Sequence, residues 1–256
     1  MTQTRRNFLM SGAAIAGGVV MLPYAVNAAA HATHEFAVPG GTMTVHPVAH
    51  ASVVLKTPKG VIYVDPVGDP SAYADLGAPD FILITHHHGD HFNNDTLAAV
   101  ADENTVMMVN PEVMGKLPTE MQAKSTALAN GESGAWNGIT VDAIPAYNVT
   151  EERLKFHPKG RDNGYVLNMD GFRIYLSGDT EDIPEMRALK DIDLAFVCMN
   201  LPFTMDVEAA ASAVAEFMPT YVYPYHYRGK DGGTQDPEKF AQLIGDAVKV
   251  KLGDWY

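Results

Sequence analysis

The residues with the clearest chemistry lie in one short segment, Thr85-His86-His87-His88-Gly89-Asp90-His91. His86 and His88 are two positions apart and follow directly on the apolar run Phe81-Ile82-Leu83-Ile84. In an extended chain, residues i and i+2 point to the same side. Both imidazoles can therefore converge on one cation. His87 points to the opposite side and is not expected to ligate. Gly89 lets the chain turn, and Asp90 and His91 emerge beyond it, where they can face a second cation. A continuous helix would instead present ligands at i, i+3 and i+4. Four candidate ligands at the end of a buried strand thus predict two adjacent metals.

Repeated elements must hold that segment in place. Val53 to Asp65 reads as strand, tight turn, strand, aspartate. Tyr165 to Asp179 has the same plan, with Asp170-Gly171 as the hairpin turn. Each is followed by a short apolar strand, Asp80 to Ile84 and Asp193 to Val197. Continuous apolar runs of that length suit strands covered on both faces. Helix-forming composition appears at Thr96 to Ala101, Val207 to Phe217 and Pro237 to Val248. Asp206 is placed to cap the second of these, and Asp236-Pro237-Glu238 opens the third. A duplicated β-rich unit results, with two sheets face to face and helices outside. No low-complexity linker divides residues 33–256, which predicts one domain.

With these motifs in order along residues 42–230, the chain resembles the metallo-β-lactamase superfamily. The matching elements are Asp65 after a strand, His86-x-His88-x-Asp90-His91, His157 in Phe156-His157-Pro158, Asp179 in Ser177-Gly178-Asp179-Thr180, and His226 in Tyr225-His226-Tyr227. Within the superfamily it is most similar to metal-dependent hydrolases near the ascorbate-6-phosphate lactonase, not to the penicillin-destroying enzymes. The resemblance implies an α/β, four-layer αββα sandwich of two mixed sheets. It implies that His86, His88 and His157 hold a first metal. Asp90, His91 and His226 would hold a second, and Asp179 would bridge both. His46 and His50 precede the motif, and they are expected to flank the site or lie in the first hairpin. Asp65 is expected to support a ligand rather than bind metal.

Imidazole and carboxylate without thiolate suit two divalent ions, zinc first, with iron or manganese as alternatives. Two such ions about 3.5–4 Å apart lower the pKa of a shared water towards about 7. The expected reaction is hydrolysis of a small ester, lactone or phosphodiester by that hydroxide, with Asp90 orienting it or taking a proton. No Gly-x-Ser-x-Gly nucleophile elbow is present. Two other readings differ in kind. One is a non-catalytic periplasmic metal-binding protein. The other is an iron-dependent redox member of the superfamily, which the lack of a flavin domain disfavours.

Arg153, Lys155, Lys159 and Arg161 surround His157 in an acidic chain, which predicts attraction of an anionic small molecule. Tyr221, Tyr223, Tyr225 and Tyr227 alternate around His226, mostly as packing residues. Asn200 ends a strand near the expected metals and could donate to a developing oxyanion. Cys198, the single cysteine, sits in the apolar run Leu194 to Met199 and reads as a core residue.

Residues 1–32 read as an export leader. Thr4-Arg5-Arg6-Asn7-Phe8-Leu9 resembles a twin-arginine motif, and a weakly apolar run and the small residues Ala28-Ala29-Ala30 follow. A periplasmic location is expected, with no stable membrane anchor after removal of the leader. The 18 basic residues, two of them Arg5 and Arg6, face 31 acidic ones, a formal net charge of −13. Such a chain repels polyanions, which argues against nucleic acid as a partner and for a small substrate.

Overall fold

The computed structural model describes residues 33–228 and 235–256. The proposed leader lies outside the described residues. The first sheet has seven strands in chain order: β1 (His34–Val38), β2 (Gly41–Ala49), β3 (Ser52–Thr57), β4 (Gly60–Val64), β5 (Phe81–Ile84), β6 (Val106–Val109) and β7 (Ser125–Ala127). The second also has seven, β8 (Ser133–Trp136), β9 (Ile139–Ala146), β10 (Asp162–Met169), β11 (Phe172–Leu176), β12 (Leu194–Cys198), β13 (Tyr221–Tyr225) and β14 (Lys249–Val250).

Both sheets are antiparallel through their first four strands and parallel through the rest. This is the duplication read from the two hairpins. In the second hairpin Met169 pairs with Phe172 across Asp170-Gly171. Both turn residues have positive φ, 51° and 101°, the conformation that matches strand twist in a two-residue turn.

Side-chain alternation explains the layering. Val53, Leu55, Ile62, Val64, Phe81 and Leu83 enter a core shared with Val141, Tyr165, Leu167, Leu176 and Phe196 of the second sheet. Phe81 stacks on Trp136 across it, with ring centroids 4.8 Å apart. The intervening Val54, Tyr63, Ile82 and Ile84 face the other way, packing with Leu97 and Val113. Those two belong to α1 (Asn94–Val100) and α2 (Pro111–Met114), outside the first sheet. A short helix, α3 (Thr119–Gln122), precedes β7. On the second sheet's outer side lie α4 (Pro184–Arg187), α5 (Val207–Phe217) and α6 (Pro237–Ile244). Phe217 of α5 meets Tyr175 edge-on at 5.9 Å. The result is the expected four-layer αββα sandwich.

Helix ends differ from the sequence reading for local reasons. Asn93 accepts from Thr96 N–H, so α1 begins at Asn94 rather than Thr96. Asp206 caps α5 by accepting from Ala209 N–H at 2.8 Å, as expected. The last helix stops at Ile244 rather than Val248. Gly245 takes a positive φ there, a 3-10 turn follows, and Lys249–Val250 pairs with Tyr221–Val222 as β14. Among the described residues no helix is long and apolar enough to cross a membrane.

Candidate metal centre

The two sheets deliver their chemistry at the carboxyl ends of their parallel strands. Strand β5 ends at Ile84, and Thr85 is anchored from both sheets. Its backbone oxygen accepts from Asn163 N–H (3.1 Å) and Asn110 Nδ2 (2.9 Å). Its backbone N–H and hydroxyl both donate to Asp65, at 2.7 and 2.6 Å. The chain then turns, with His91 N–H and Phe92 N–H donating to His88 O. Gly89 needs no positive φ, and a Cβ there would meet nothing within 4 Å. The turn therefore does not require glycine, contrary to the sequence argument. Gly89 instead lines a pocket, to which it adds room.

All seven expected ligands come together. His86, His88 and His157 form one group of donor atoms within 4.8 Å of one another; His91, Asp179 and His226 form another. Asp90 joins His86 and His91 in a third group and His50 and His226 in a fourth. Asp179 stands between the sets. Its Oδ2 lies 3.4 Å from His157 Nε2, while its Oδ1 lies 3.4 Å from both His91 Nε2 and His226 Nε2. His87 and His46 join no group; His46 is on β2, bonded to Thr44 at 2.8 Å.

The donor atoms fit cations. His86 Nε2, His91 Nε2 and Asp179 Oδ1 are buried without a hydrogen-bond partner. Buried polar atoms are otherwise paired almost always. Ligands at about 2.0–2.1 Å from a tetrahedral ion lie roughly 3.4 Å apart, the separation seen around Asp179. The opposite ring nitrogens are committed elsewhere. His91 Nδ1 donates to Asp65 Oδ2 at 2.7 Å, and His157 Nδ1 to Asp162 Oδ2 at 3.0 Å. Such carboxylate–histidine pairs fix the tautomer that leaves Nε2 free. At His88, Arg161 Nη2 lies 3.4 Å from Nε2, and since a guanidinium only donates, this contact does not select the nitrogen that would ligate. Asp65 thus holds His91, one of the expected ligands, through its Nδ1.

Electrostatics favour the ligating forms of His86, His88 and Asp179, but not of His91. Burial, with His157 next, lowers His88 to about 4, and burial with His91 lowers His86 well below its ordinary value. Neutral rings are what cations need. Burial opposes ionisation of Asp179, but His226 and His91 outweigh it and hold the carboxyl well below the usual range. Burial likewise opposes charge on His91, yet Asp179 and Asp65 raise it well above normal. A cation on His91 Nε2 therefore displaces a proton.

Asp179 depends on Gly178. That residue has φ +59°, and a Cβ on it would lie 2.6 Å from Asn163 O and 3.1 Å from Thr85 Cβ. Gly178→Ala is expected to cost about 2–4 kcal/mol, from strain in the left-handed region plus overpacking. Urea unfolding of the chelator-treated chain measures it; an unchanged midpoint would show that the strand end can relax.

The pocket over these donors has a volume of about 540 Å³ and is lined by His50, His88, Gly89, Asp90, Phe156, His157, Asp179, Asn200 and Phe203. Phe156 and Phe203 meet edge-on at 5.0 Å. Asn200 Nδ2 lies 3.2 Å from His226 Nε2. Tyr225 is buried against Phe196 and Trp255, and Tyr227 packs on Tyr256, as packing residues. Cys198 is fully buried on β12, and burial pushes its thiol up to about 12.

The basic loop is largely paired with carboxylates, most of them from elsewhere in the fold. Arg153 Nη1 pairs with Glu181 at 2.6 Å, and Arg161 forks onto both oxygens of Asp162 at 2.7 Å. Lys159 meets Tyr147 Oη at 3.0 Å and Glu185 at 3.4 Å. Lys155 lies over the Phe156 ring. These cations brace the His157 loop; Arg161, through Asp162, orients His157 itself. The residue that sequence reasoning undervalued is His50, which lies 3.5 Å from Asp90 and 4.1 Å, ring to ring, from His226.

Comparison with known proteins gives a consistent result. A family model described as a beta-lactamase superfamily domain matches residues 44–226. A UPF0173 metal-dependent hydrolase from Pyrococcus abyssi is 30% identical over 191 residues, covering 72% of this chain and 83% of the relative. One from Thermococcus onnurineus is 32% identical over 190 residues, with the same coverage of 72% and 83%. Among solved structures, a candidate metal-dependent hydrolase from Parabacteroides distasonis superposes with a TM-score of 0.78 at 38% identity, covering 87% of this chain and 98% of that one.

Proposed function

The chain belongs to the beta-lactamase superfamily as one of its metal-dependent hydrolases, and from that premise we propose that it cleaves a small ester or lactone at a two-cation centre. The observation that carries this reading is Asp179, whose two oxygens face two different histidine sets beside unpartnered ligand atoms. His86, His88 and His157 would hold one cation; Asp90, His91 and His226 would hold the other. Zinc suits these donors best, with iron or manganese as alternatives, and the one thiol, Cys198, lies outside every donor group. Two divalent ions would supply Lewis acidity and bring the pKa of a shared water towards about 7.

The chain's own residues do the rest. Asp90 faces the pocket with its side chain 44% exposed, so one carboxylate oxygen can accept a proton from the attacking water. Its carboxyl is held below the usual range: burial works against ionisation, but the hydrogen bond from His50 and the charge of His91 prevail. Asn200 Nδ2, at the pocket wall, can donate to the oxygen on which charge develops. Phe156 and Phe203 exclude water and offer an apolar wall.

That wall, together with a basic loop whose two arginines are paired with carboxylates, favours a neutral substrate with an apolar arm over a phosphodiester. Phe156→Ala and Phe203→Ala are each expected to lower kcat/KM about 10-fold for an aryl- or alkyl-substituted lactone, from lost apolar burial. A minimal acetate ester should lose little. Equal losses for both substrates would contradict the assignment of the arm. The reading as a whole is tested by metal analysis with a panel of esters, lactones and phosphodiesters. Chelation should abolish turnover, and restored metal should return it. No turnover with two metals loaded would favour the metal-binding alternative. We also place the chain in the periplasm by the twin-arginine route, on Arg5-Arg6 and the run behind them. Retention of an Arg5→Lys/Arg6→Lys variant in the cytoplasm is the expected outcome.

A further inference from the structure

His50 sits in the turn between β2 and β3 with φ 57°. Its main chain is part of the site, since His226 N–H donates to His50 O at 3.2 Å. Its ring has two polar neighbours. Nε2 faces Asp90 Oδ2 at 3.5 Å, a long contact, and Nδ1 lies 3.0 Å from Tyr256 Oη. The donor groups admit two roles for this ring, because His50, Asp90 and His226 also satisfy the spacing of a metal triad.

Hydrogen-bond directions distinguish them. An ionised carboxylate only accepts, so the ring nitrogen beside Asp90 must carry the hydrogen. A neutral imidazole has one N–H, which leaves Nδ1 as an acceptor and Tyr256 as its donor. Tyr256 is arranged for this. Its oxygen already accepts from Arg228 N–H at 3.3 Å, so its hydrogen is free for His50. Burial keeps the phenol protonated. The Tyr256 ring is also fixed, between the Arg228 guanidinium at 4.3 Å and Tyr227 at 5.0 Å. His91 and His157 have the opposite polarity: their Nδ1 atoms meet carboxylates and their Nε2 atoms face Asp179.

We propose that Arg228 N–H, Tyr256 and His50 form a directed hydrogen-bond relay ending on Asp90, in which His50 is a donor that positions the Asp90 carboxylate and not a metal ligand. The proposal rests on Asp90 serving a two-cation hydrolytic centre. By holding one Asp90 oxygen, His50 would limit the carboxylate to orientations in which the other points into the pocket.

The first test uses the zinc-loaded full chain labelled with 15N-histidine. Long-range proton–nitrogen correlation spectra report the tautomer of each ring, and His50→Gln assigns the signal. His50 is expected as the neutral Nε2–H form, and Tyr256→Phe should weaken that preference. A zinc-bound, Nδ1–H or doubly protonated His50 would overturn the relay. This outcome does not depend on any substrate, so it stands apart from success or failure of the ester and lactone panel. The second test combines metal content with kinetics. His50→Ala should retain two zinc ions and lower kcat about 10–100-fold with KM nearly unchanged. His50→Gln, which can restore an N–H near Asp90, should recover most of that loss. Tyr256→Phe should cost about 3–10-fold, and the double variant should be no worse than His50→Ala, since both act in one chain of bonds. Loss of one zinc in His50→Ala would make His50 a ligand, and additive losses would uncouple Tyr256 from it; either contradicts the proposal.

Discussion

Replacing Asp179 with alanine is expected to leave a folded chain that loads at most one cation and loses about 10³-fold or more in kcat/KM. The two oxygens of Asp179 face both histidine sets. Oδ1 is 3.4 Å from His91 and His226 Nε2, and Oδ2 is 3.4 Å from His157 Nε2. Without it, the remaining donors split into an all-imidazole group and a group weakened by loss of its buried carboxylate. Losing one preorganised electrostatic contact costs about 10²–10³, and losing a cation removes several kcal/mol of charge stabilisation besides. Stability provides a second readout. Ligand binding at about 1,000 times Kd stabilises a fold by about 4 kcal/mol. For a chain of this size that corresponds to roughly 8–16 °C in Tm. Chelation should therefore lower the wild-type Tm by about that amount and change Asp179→Ala far less. An Asp179→Ala variant that keeps two cations and a full chelator effect would contradict the bridging role.

Asp65→Ala is expected to act one step further from the metals. Asp65 is fully buried and accepts from Thr85 N, Thr85 Oγ1 and His91 Nδ1 at 2.7, 2.6 and 2.7 Å. Alanine leaves those donors unpaired in a dry site. Removing one partner from a buried charged pair costs about 3–5 kcal/mol. Freeing His91 to rotate should weaken metal binding about 10–100-fold. The two effects are separable: urea unfolding in chelator gives the first, and competition with a metal indicator gives the second. Asp65→Asn keeps the shape but sets an amide N–H₂ against a donor, so it should recover only part of each. If metal affinity were unchanged while stability fell, Asp65 would brace the strand end without tuning His91.

The metal motif was legible because its information is local. Two histidines at spacing two after an apolar strand carry their geometry with them, and His86 and His88 fall in one donor group. His157, Asp179 and His226 were reached through the order of family motifs, since nothing in their own neighbourhoods marks them as convergent. The sandwich followed from the repeated hairpins and their apolar alternation. Contacts made over distance were not legible. The carboxylates that neutralise Arg153 and Lys159 are 28 and 26 residues away, so the loop looked like free positive charge. His50 meets Asp90 across a separation of 40 positions and Tyr256 across a separation of 206. Its only local mark is a histidine between two alanines at a strand end. The last helix was overextended because Gly245 ends it, and strand pairing with Tyr221 then claims Lys249 and Val250.

The proposed centre holds two cations across Asp179. Anomalous scattering at the zinc edge, from crystals of the zinc-loaded chain, tests it most directly. Two peaks flanking the Asp179 carboxylate are expected, one among His86, His88 and His157 and the other among Asp90, His91 and His226. A single peak, or a second peak held by residues outside these sets, would contradict it.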